Sequence, residues 1–398
     1  MEKIRVAIVG CGEFAQFFVP LFQSHPYVER VFCCDLIEEK ARSYSERFGV
    51  EIIPSFEECL ASEQVNCIAI FTERHTHSPL VVAALNAGKD VYSAVPMATT
   101  PEECKDIIDA VVRSGRTYMM GETCIYYPSS MYCKQEFEKG SFGNFVYGEA
   151  QYFHDISHFS KTFKSHLPSY TLPPFFYPTH STAMLLNATG SYAVKVTAFG
   201  YRDESEEFRK GNNPWDNEFS DEFSLMQLAN GGVVRVSECR RIGYKAPSSY
   251  INGFYGTKGS YQFSNAQHVQ TRLTEAGVDL IDVSYQVNPY EMTENKDDPD
   301  FKQKVANHVW QWSSFAPIQQ KEEARLPESF RGLPNGHMAS HQLLIDDFCR
   351  AVYENKMPTV NAWVAARYTI PGLIAHHSAQ MGGVPLDVPD YGDAPEKL

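Results

Sequence analysis

The chain contains no Cys-x-x-Cys pair, no His-Glu-x-x-His and no Gly-x-Ser-x-Gly. Zinc ribbons, zincin-type metal sites and the serine-hydrolase elbow therefore lack their defining residues. No run of apolar residues reaches the length of a membrane helix, and the start of the chain lacks the charged and apolar regions of a signal peptide. Positive charge is also short: Lys plus Arg total 35 against 49 Asp plus Glu, a net charge of −14. That balance argues against a nucleic-acid or anionic-membrane surface. Internal repeats and low-complexity tracts are absent. The ten cysteines are scattered, several of them in apolar or helical runs, as expected of free thiols in a reduced interior. These absences lead to the expectation of a cytoplasmic globular protein with no membrane and no nucleic-acid partner.

What is present begins at the first strand. Ile4–Val9 runs directly into Gly10-Cys11-Gly12-Glu13-Phe14-Ala15. This is the form of a dinucleotide-binding turn: Gly10 for the tight turn, Gly12 for close approach of a diphosphate, Ala15 for packing of the following helix. A second strand over Val28–Asp35 ends in an acid about 20 residues on, as that fingerprint requires. A carboxylate at Asp35 accepts from ribose hydroxyls and repels a 2′-phosphate. Leu36-Ile37-Glu38-Glu39 follow with no arginine, so the expected cofactor is NAD, held by Gly10, Gly12, Glu13, Phe14 and Asp35.

Strand and helix alternate through about residue 120, including a helix from Pro101 to Ser114 capped by Thr100. Beyond Gly121 the pattern turns to long alternating segments such as Val146–Phe153, Glu222–Leu228 and Val233–Glu238. The expected fold is α/β: a Rossmann domain with a doubly wound parallel sheet over residues 1–122, then an α+β domain over 123–398 with a large, mainly antiparallel open sheet. Glu275 to Leu333, rich in Asp, Glu, Pro and Gln, reads as a surface excursion with one helical piece around Val305–Trp312.

These features resemble the glucose–fructose oxidoreductase, inositol dehydrogenase and rhizopine catabolism (Gfo/Idh/MocA) family. The likeness runs from the glycine turn through Thr72-Glu73-Arg74-His75-Thr76-His77, similar to that family's T-P-N-x-x-H, to Asp346-Asp347-Phe348-Cys349-Arg350-Ala351-Val352. It implies that Thr72, Arg74, His77, Val95 and Pro96 line the cofactor, and that the open sheet serves a homo-oligomer, a dimer or tetramer. Most members carry Glu-Lys-Pro where this chain has Ala94-Val95-Pro96, and valine cannot carry a proton. A lysine-lacking branch, the NAD-dependent α-N-acetylgalactosaminidases, is the nearer match. Met119-Met120-Gly121-Glu122-Thr123-Cys124 resembles its M-M-L-E-N-C, Gly148 to Asp155 resembles its E-G-x-Y-x-H-D, and Tyr177-Pro178-Thr179-His180 matches its Y-P-T-H. Related glycoside 3-dehydrogenases share the layout.

Without the lysine, the resemblance makes His180 the candidate base; read alone, it is more readily a buried histidine bonded to a backbone carbonyl. Histidine titrates near neutral pH and suits the role. Tyr152 and His154, two apart on a strand, share a face, where either serves as acid or base or simply as a polar strand residue. Tyr177, Tyr126 and Glu149 are candidate substrate ligands, and Glu122 and Tyr126 are expected near the nicotinamide. The histidine pairs His154/His158, His337/His341 and His376/His377 lack a third ligand in a metal pattern, so no metal is expected. Three functions stay open: NAD-dependent oxidation of a sugar or glycoside hydroxyl at C3, glycoside cleavage through transient C3 oxidation, and non-catalytic NAD-dependent regulation.

Overall fold

A computed structural model of the chain describes residues 2–154, 171–243, 250–263, 267–288 and 315–396. The first sheet is built from β1 (Ile4–Val9), β2 (Val28–Cys34), β3 (Glu51–Ile52), β4 (Cys67–Ile70), β5 (Asp90–Ser93) and β6 (Tyr118–Met120). All its pairings are parallel, in the order β3-β2-β1-β4-β5-β6. This is the doubly wound dinucleotide-binding order, whose switch point between β1 and β4 opens a crevice at the strands' carboxyl ends. The central strands are apolar on both faces because helices cover both: Val6, Ala7, Ile8, Ile68, Ala69 and Ile70 are fully buried.

The helix after the glycine turn departs from the expectation of a regular start. It opens as a single 3₁₀ turn, Ala15–Phe17, and becomes α-helical only over Val19–Ser24. Pro20 explains the break, because it has no N–H to close a bond to the preceding turn. The helix Pro101–Ser114 forms as expected, with Thr100 and Glu103 making a reciprocal capping box.

The second sheet has nine strands: β7 (Phe145–Phe153), β8 (Ala193–Arg202), β9 (Phe219–Leu228), β10 (Val233–Cys239), β11 (Tyr250–Gly256), β12 (Gly259–Phe263), β13 (His268–Thr274), β14 (Gly277–Asp282) and β15 (Leu386–Asp387). Their order is β14-β13-β12-β11-β7-β10-β9-β8-β15, antiparallel except for the β7–β10 pair. One face packs on the helices Pro128–Glu138, Thr179–Thr189 and Ala362–Gln380. The other is open and carries Phe199, Tyr201, Phe223, Leu225 and Val233 exposed.

The segment Glu275–Leu333 is not a plain surface excursion. Its first part pairs as β14 on β13, and Val283, Val287, Gln319 and Phe330 are buried. As the outermost strand, β14 leaves nearly every side chain in water, so it carries no period-two signal. The helical piece proposed at Val305–Trp312 lies outside the described residues. The helix His341–Glu354 returns to the first sheet: Phe348 meets Phe22 and Tyr92, and Tyr353 stacks on Tyr27 at 4.0 Å. Burying a phenylalanine in this way contributes about 1.5–3 kcal/mol. No described helix is long and apolar enough to cross a membrane.

Candidate active site

The turn after β1 is held open. Gly10 adopts φ +95°, and a Cβ there would lie 2.8 Å from the Phe71 backbone carbonyl. Gly12 faces empty space, with nothing within 4 Å of a hypothetical Cβ. That is the cradle a diphosphate needs. Asp35 braces the turn from below: Oδ2 accepts from the Cys11 amide at 2.7 Å and Oδ1 from the Ile37 amide at 2.8 Å. Each oxygen keeps a lone pair for a ribose hydroxyl. The neighbouring Leu36 and Ile37 are exposed and uncharged, which offers nothing to a 2′-phosphate. Glu13 is exposed, while the Phe14 ring turns inward against Phe18, His337 and His341.

The loops on the far side of the crevice are tied together. His77 is buried, with Nδ1 2.7 Å from the Pro96 carbonyl and Nε2 3.1 Å from that of Thr72. It positions the loops and does not face the crevice. The Thr72 hydroxyl meets that of Thr76 at 2.7 Å. Val95, at the position of the missing lysine, is buried.

Where the crevice meets the second sheet, side chains from five places converge. His180 stands one residue into the helix Thr179–Thr189. Its Nδ1 lies 2.8 Å from Oε1 of Glu122, which is wholly buried just beyond β6 and also accepts the Cys124 amide at 2.9 Å. Burial opposes a charge on Glu122, but the His180 ring and the bonds from its neighbours prevail and hold the carboxyl below its ordinary range. A charged Glu122 accepts the hydrogen bond of Nδ1–H, which fixes that tautomer and leaves Nε2 as the basic nitrogen. The Tyr177 hydroxyl lies 3.3 Å from that Nε2.

Tyr152, at the end of β7, sets its ring edge-on to His180 with centroids 4.9 Å apart. His154 is 5.4 Å from Tyr152, and burial, with Arg240 and Arg74 nearby, pushes it down to about 4. His154 is therefore neutral at physiological pH, while burial pushes the Tyr152 phenol well up despite the Arg240 guanidinium 5.2 Å from its ring centroid. Beneath them Glu238 is fully buried, accepting from Ser181 at 2.6 Å and Arg240 at 3.2 Å. Burial pushes Glu238 up to about 8.

The structure thus brings together His180, Tyr152, His154, Tyr177 and Glu122, and separates two others. Tyr126 turns away from the crevice: its hydroxyl bonds Asp347 and lies 3.3 Å from Arg325, in a polar cleft of about 790 Å³. The 3₁₀ turn Thr123–Tyr126 rotates it off the side that Glu122 occupies. Glu149 sits on the open face of the sheet, gripped by Arg235 at 2.7 and 2.9 Å. It is three residues from Tyr152, and an odd spacing on a strand means opposite faces.

Sequence reasoning missed Arg240, Glu238 and His337. The His337 ring lies between the glycine turn and His180, 5.6 Å from Phe14 and 6.3 Å from the His180 ring. It is held by three consecutive left-handed residues, His337, Met338 and Ala339, and by a 3.0 Å contact from its Nδ1 to Nε2 of His341. Glu122, Cys124 and His180 also bring potential metal-ligating atoms within 4.8 Å of one another. Burial raises the Cys124 thiol well above its usual range, and His180 and Glu122 already bond each other.

Residues 4–122 match the family model described as an oxidoreductase family with an NAD-binding Rossmann fold, Gfo/Idh/MocA. That match likens the part of the chain carrying the first sheet to the Gfo/Idh/MocA oxidoreductases. A glycosyl hydrolase family 109 protein of Streptomyces filamentosus is 23% identical, in an alignment covering 98% of this chain and 78% of the relative. An α-N-acetylgalactosaminidase of Shewanella oneidensis is 28% identical over 168 residues, 39% of this chain and 36% of that enzyme. Among solved structures, levoglucosan dehydrogenase with NADH and levoglucosan superposes with a TM-score of 0.72 at 18% identity, over 98% of this chain and 100% of that one. The myo-inositol 2-dehydrogenase of Lactobacillus plantarum gives 0.67 at 16% identity, with the same coverage. At such identities the structures establish the fold. As in the family's Rossmann domain, the cofactor is NAD, which the open Gly12 cradle and the Asp35 carboxylate suit.

Proposed function

We propose that the protein oxidises a secondary hydroxyl, at C3, of a sugar or glycoside, with His180 as the base. NAD, when bound, supplies the hydride acceptor. The observation that carries this reading is the Glu122–His180–Tyr177 line, a buried carboxylate fixing the tautomer of a histidine whose other nitrogen faces a phenol. Nε2 takes the hydroxyl proton, and the Glu122 charge stabilises the imidazolium as it forms. Tyr177 and His154 hold the sugar hydroxyls around the reacting carbon. Purified protein with NAD and a panel of sugars and nitrophenyl glycosides tests it: NADH appears with a matching sugar and is lost in His180→Ala. An unchanged rate in that variant overturns the assignment.

A second reading shares this first step. Tyr152 is an additional proton-transfer group beside His180, which simple dehydrogenation does not require. After C3 oxidation Tyr152, as the phenolate that the Arg240 guanidinium favours against burial, removes the acidified C2 proton; the C1 substituent leaves with a proton, water adds at C1 as C2 is reprotonated, and the hydride returns to C3. The family 109 names among the relatives favour it. Aglycone release without net NADH, and solvent deuterium at C2, separate it from simple oxidation. NAD binding with no response to any sugar would instead indicate a regulatory protein.

A further inference from the structure

Arg74 lies at the reacting end of the crevice. Among the described residues it makes no hydrogen bond and no ion pair; its guanidinium carbon stacks 4.4 Å from the centroid of the Tyr177 ring. The hydroxyl of that ring is the group that touches His180. Arg240 approaches the same pair of tyrosines from the other side, 5.2 Å from Tyr152 and 5.8 Å from Tyr177. Among the described residues, the two buried carboxylates of this site are engaged elsewhere than at Arg74: Glu122 by His180 and Cys124, and Glu238 by Ser181 and by Arg240 itself at 3.2 Å. Both acids are wholly buried, and the upward shift of Glu238 weakens its compensation of Arg240 further. A cationic wall is unusual economy in a chain of net charge −14. A half-buried guanidinium without an anion loses hydration that stacking on a ring only partly returns.

We propose that Arg74, with Arg240 behind it, forms a subsite for an anionic group on the substrate, so that the sugar is an acidic one, a uronic acid or its glycoside. This rests on the reading that a sugar sits at His180. Stacking on Tyr177 fixes the guanidinium plane and leaves its N–H edge for a bidentate carboxylate. The other source of a matching anion is the cofactor's diphosphate. The glycine turn already supplies a cradle for that group, whereas Arg74 stands one ring from the base.

The test uses NAD-loaded protein and compares binding of D-glucuronate with D-glucose, and of D-galacturonate with D-galactose, by calorimetry and saturation-transfer NMR. The affinity of the protein for NAD is measured separately. At least one acid binds about 10- to 100-fold tighter than its neutral counterpart, the range of a charge-assisted hydrogen bond. Arg74→Gln removes that preference, Arg74→Lys keeps part of it, and NAD affinity stays within about twofold in both. Equal binding of acidic and neutral sugars overturns the proposal. So does an Arg74→Gln variant that weakens NAD and leaves the preference intact. Acidic sugars that bind preferentially but yield neither NADH nor aglycone leave the subsite standing and refute the oxidation reading instead.

Discussion

Replacing Glu122 by Gln isolates one physical quantity, the charge behind the base. The same oxygen, Oε1, takes both the His180 Nδ1 contact at 2.8 Å and the Cys124 amide at 2.9 Å. A glutamine carbonyl placed there keeps both bonds and the tautomer, and its NH₂ falls where Oε2 now has no partner. What disappears is the anion facing the imidazolium in a site closed to water. A hydrogen bond to a charged partner contributes about 1.5–3 kcal/mol, so kcat/KM should fall by about 10- to 150-fold. The assay is NADH formation, or aglycone release, across pH 5–9 with whichever sugar the panel yields. A double-mutant cycle supplies the control: in a His180→Ala background the Glu122 change should have almost no further effect. Refutation is equally concrete. If Glu122→Gln leaves the rate where it was, or costs the same without His180, Glu122 is not the group that orients the base.

Gly12→Val should leave thermal stability nearly unchanged, since its side chain enters empty space, yet weaken NAD binding at least tenfold by calorimetry; Gly10→Ala should instead destabilise the fold by about 1–3 kcal/mol through its left-handed backbone and the Phe71 contact. His337, pushed down to about 4 by burial and by His180, should be a neutral ring bearing its proton on Nε2, because the opposite tautomer would leave a buried, partnerless N–H on Nδ1 of His341; ¹⁵N-histidine NMR showing the Nδ1–H tautomer would contradict this. His154 and His337 both sit at about 4 when folded against an ordinary 6.5, so the unfolded chain binds more protons between those values and stability should fall as pH drops from about 6.5 to 4; denaturant midpoints independent of pH across that window would contradict it. The exposed Phe199, Phe223 and Leu225 on the open sheet predict a homo-oligomer, checked by light scattering: a Phe199→Glu, Leu225→Glu variant should become monomeric.

Much of the site was legible because its signals are local. The strand, glycine turn and acid fix the cofactor crevice, and Pro178 with the apolar run after His180 fixes a helix start. Tyr152 and His154 share a face through strand periodicity alone. The same periodicity argues against Glu149, whose odd spacing from Tyr152 sends it to the sheet's open face. Other residues carried no local signal. Glu238 reaches the site because β10 pairs parallel to β7 with Glu238 opposite Tyr152, and nothing in either strand announces its partner. His337 arrives on a left-handed segment of ordinary residues, without the glycines that usually mark one. Tyr126 misled because an apparently extended continuation of β6 closes into a 3₁₀ turn.

The absence of lysine at Val95 acquires a structural meaning from the Glu122–His180 pair. A lysine at the end of β5 would place the proton-transfer group in the same domain as the cofactor. On the proposed reading, His180 as base stands on the helix Thr179–Thr189, which packs on the second sheet, and only its orienting carboxylate, Glu122, follows the first sheet. That pair therefore exists only while residues 1–122 and 123–398 keep their relation. That relation is held by bonds that cross it: the Met120 amide to the Val360 carbonyl at 3.0 Å, and the Ser329 hydroxyl to the Ser24 carbonyl at 2.6 Å. Within the second part, the Gln319 side chain donates to the carbonyls of Tyr126 and Met338 at 2.8 and 2.9 Å and joins the turn that follows Glu122 to the segment that carries His337. A shift of about 1 Å in this frame would cost more in rate than the loss of any single sugar contact, because it would degrade the base, its orientation and its neighbouring donor together.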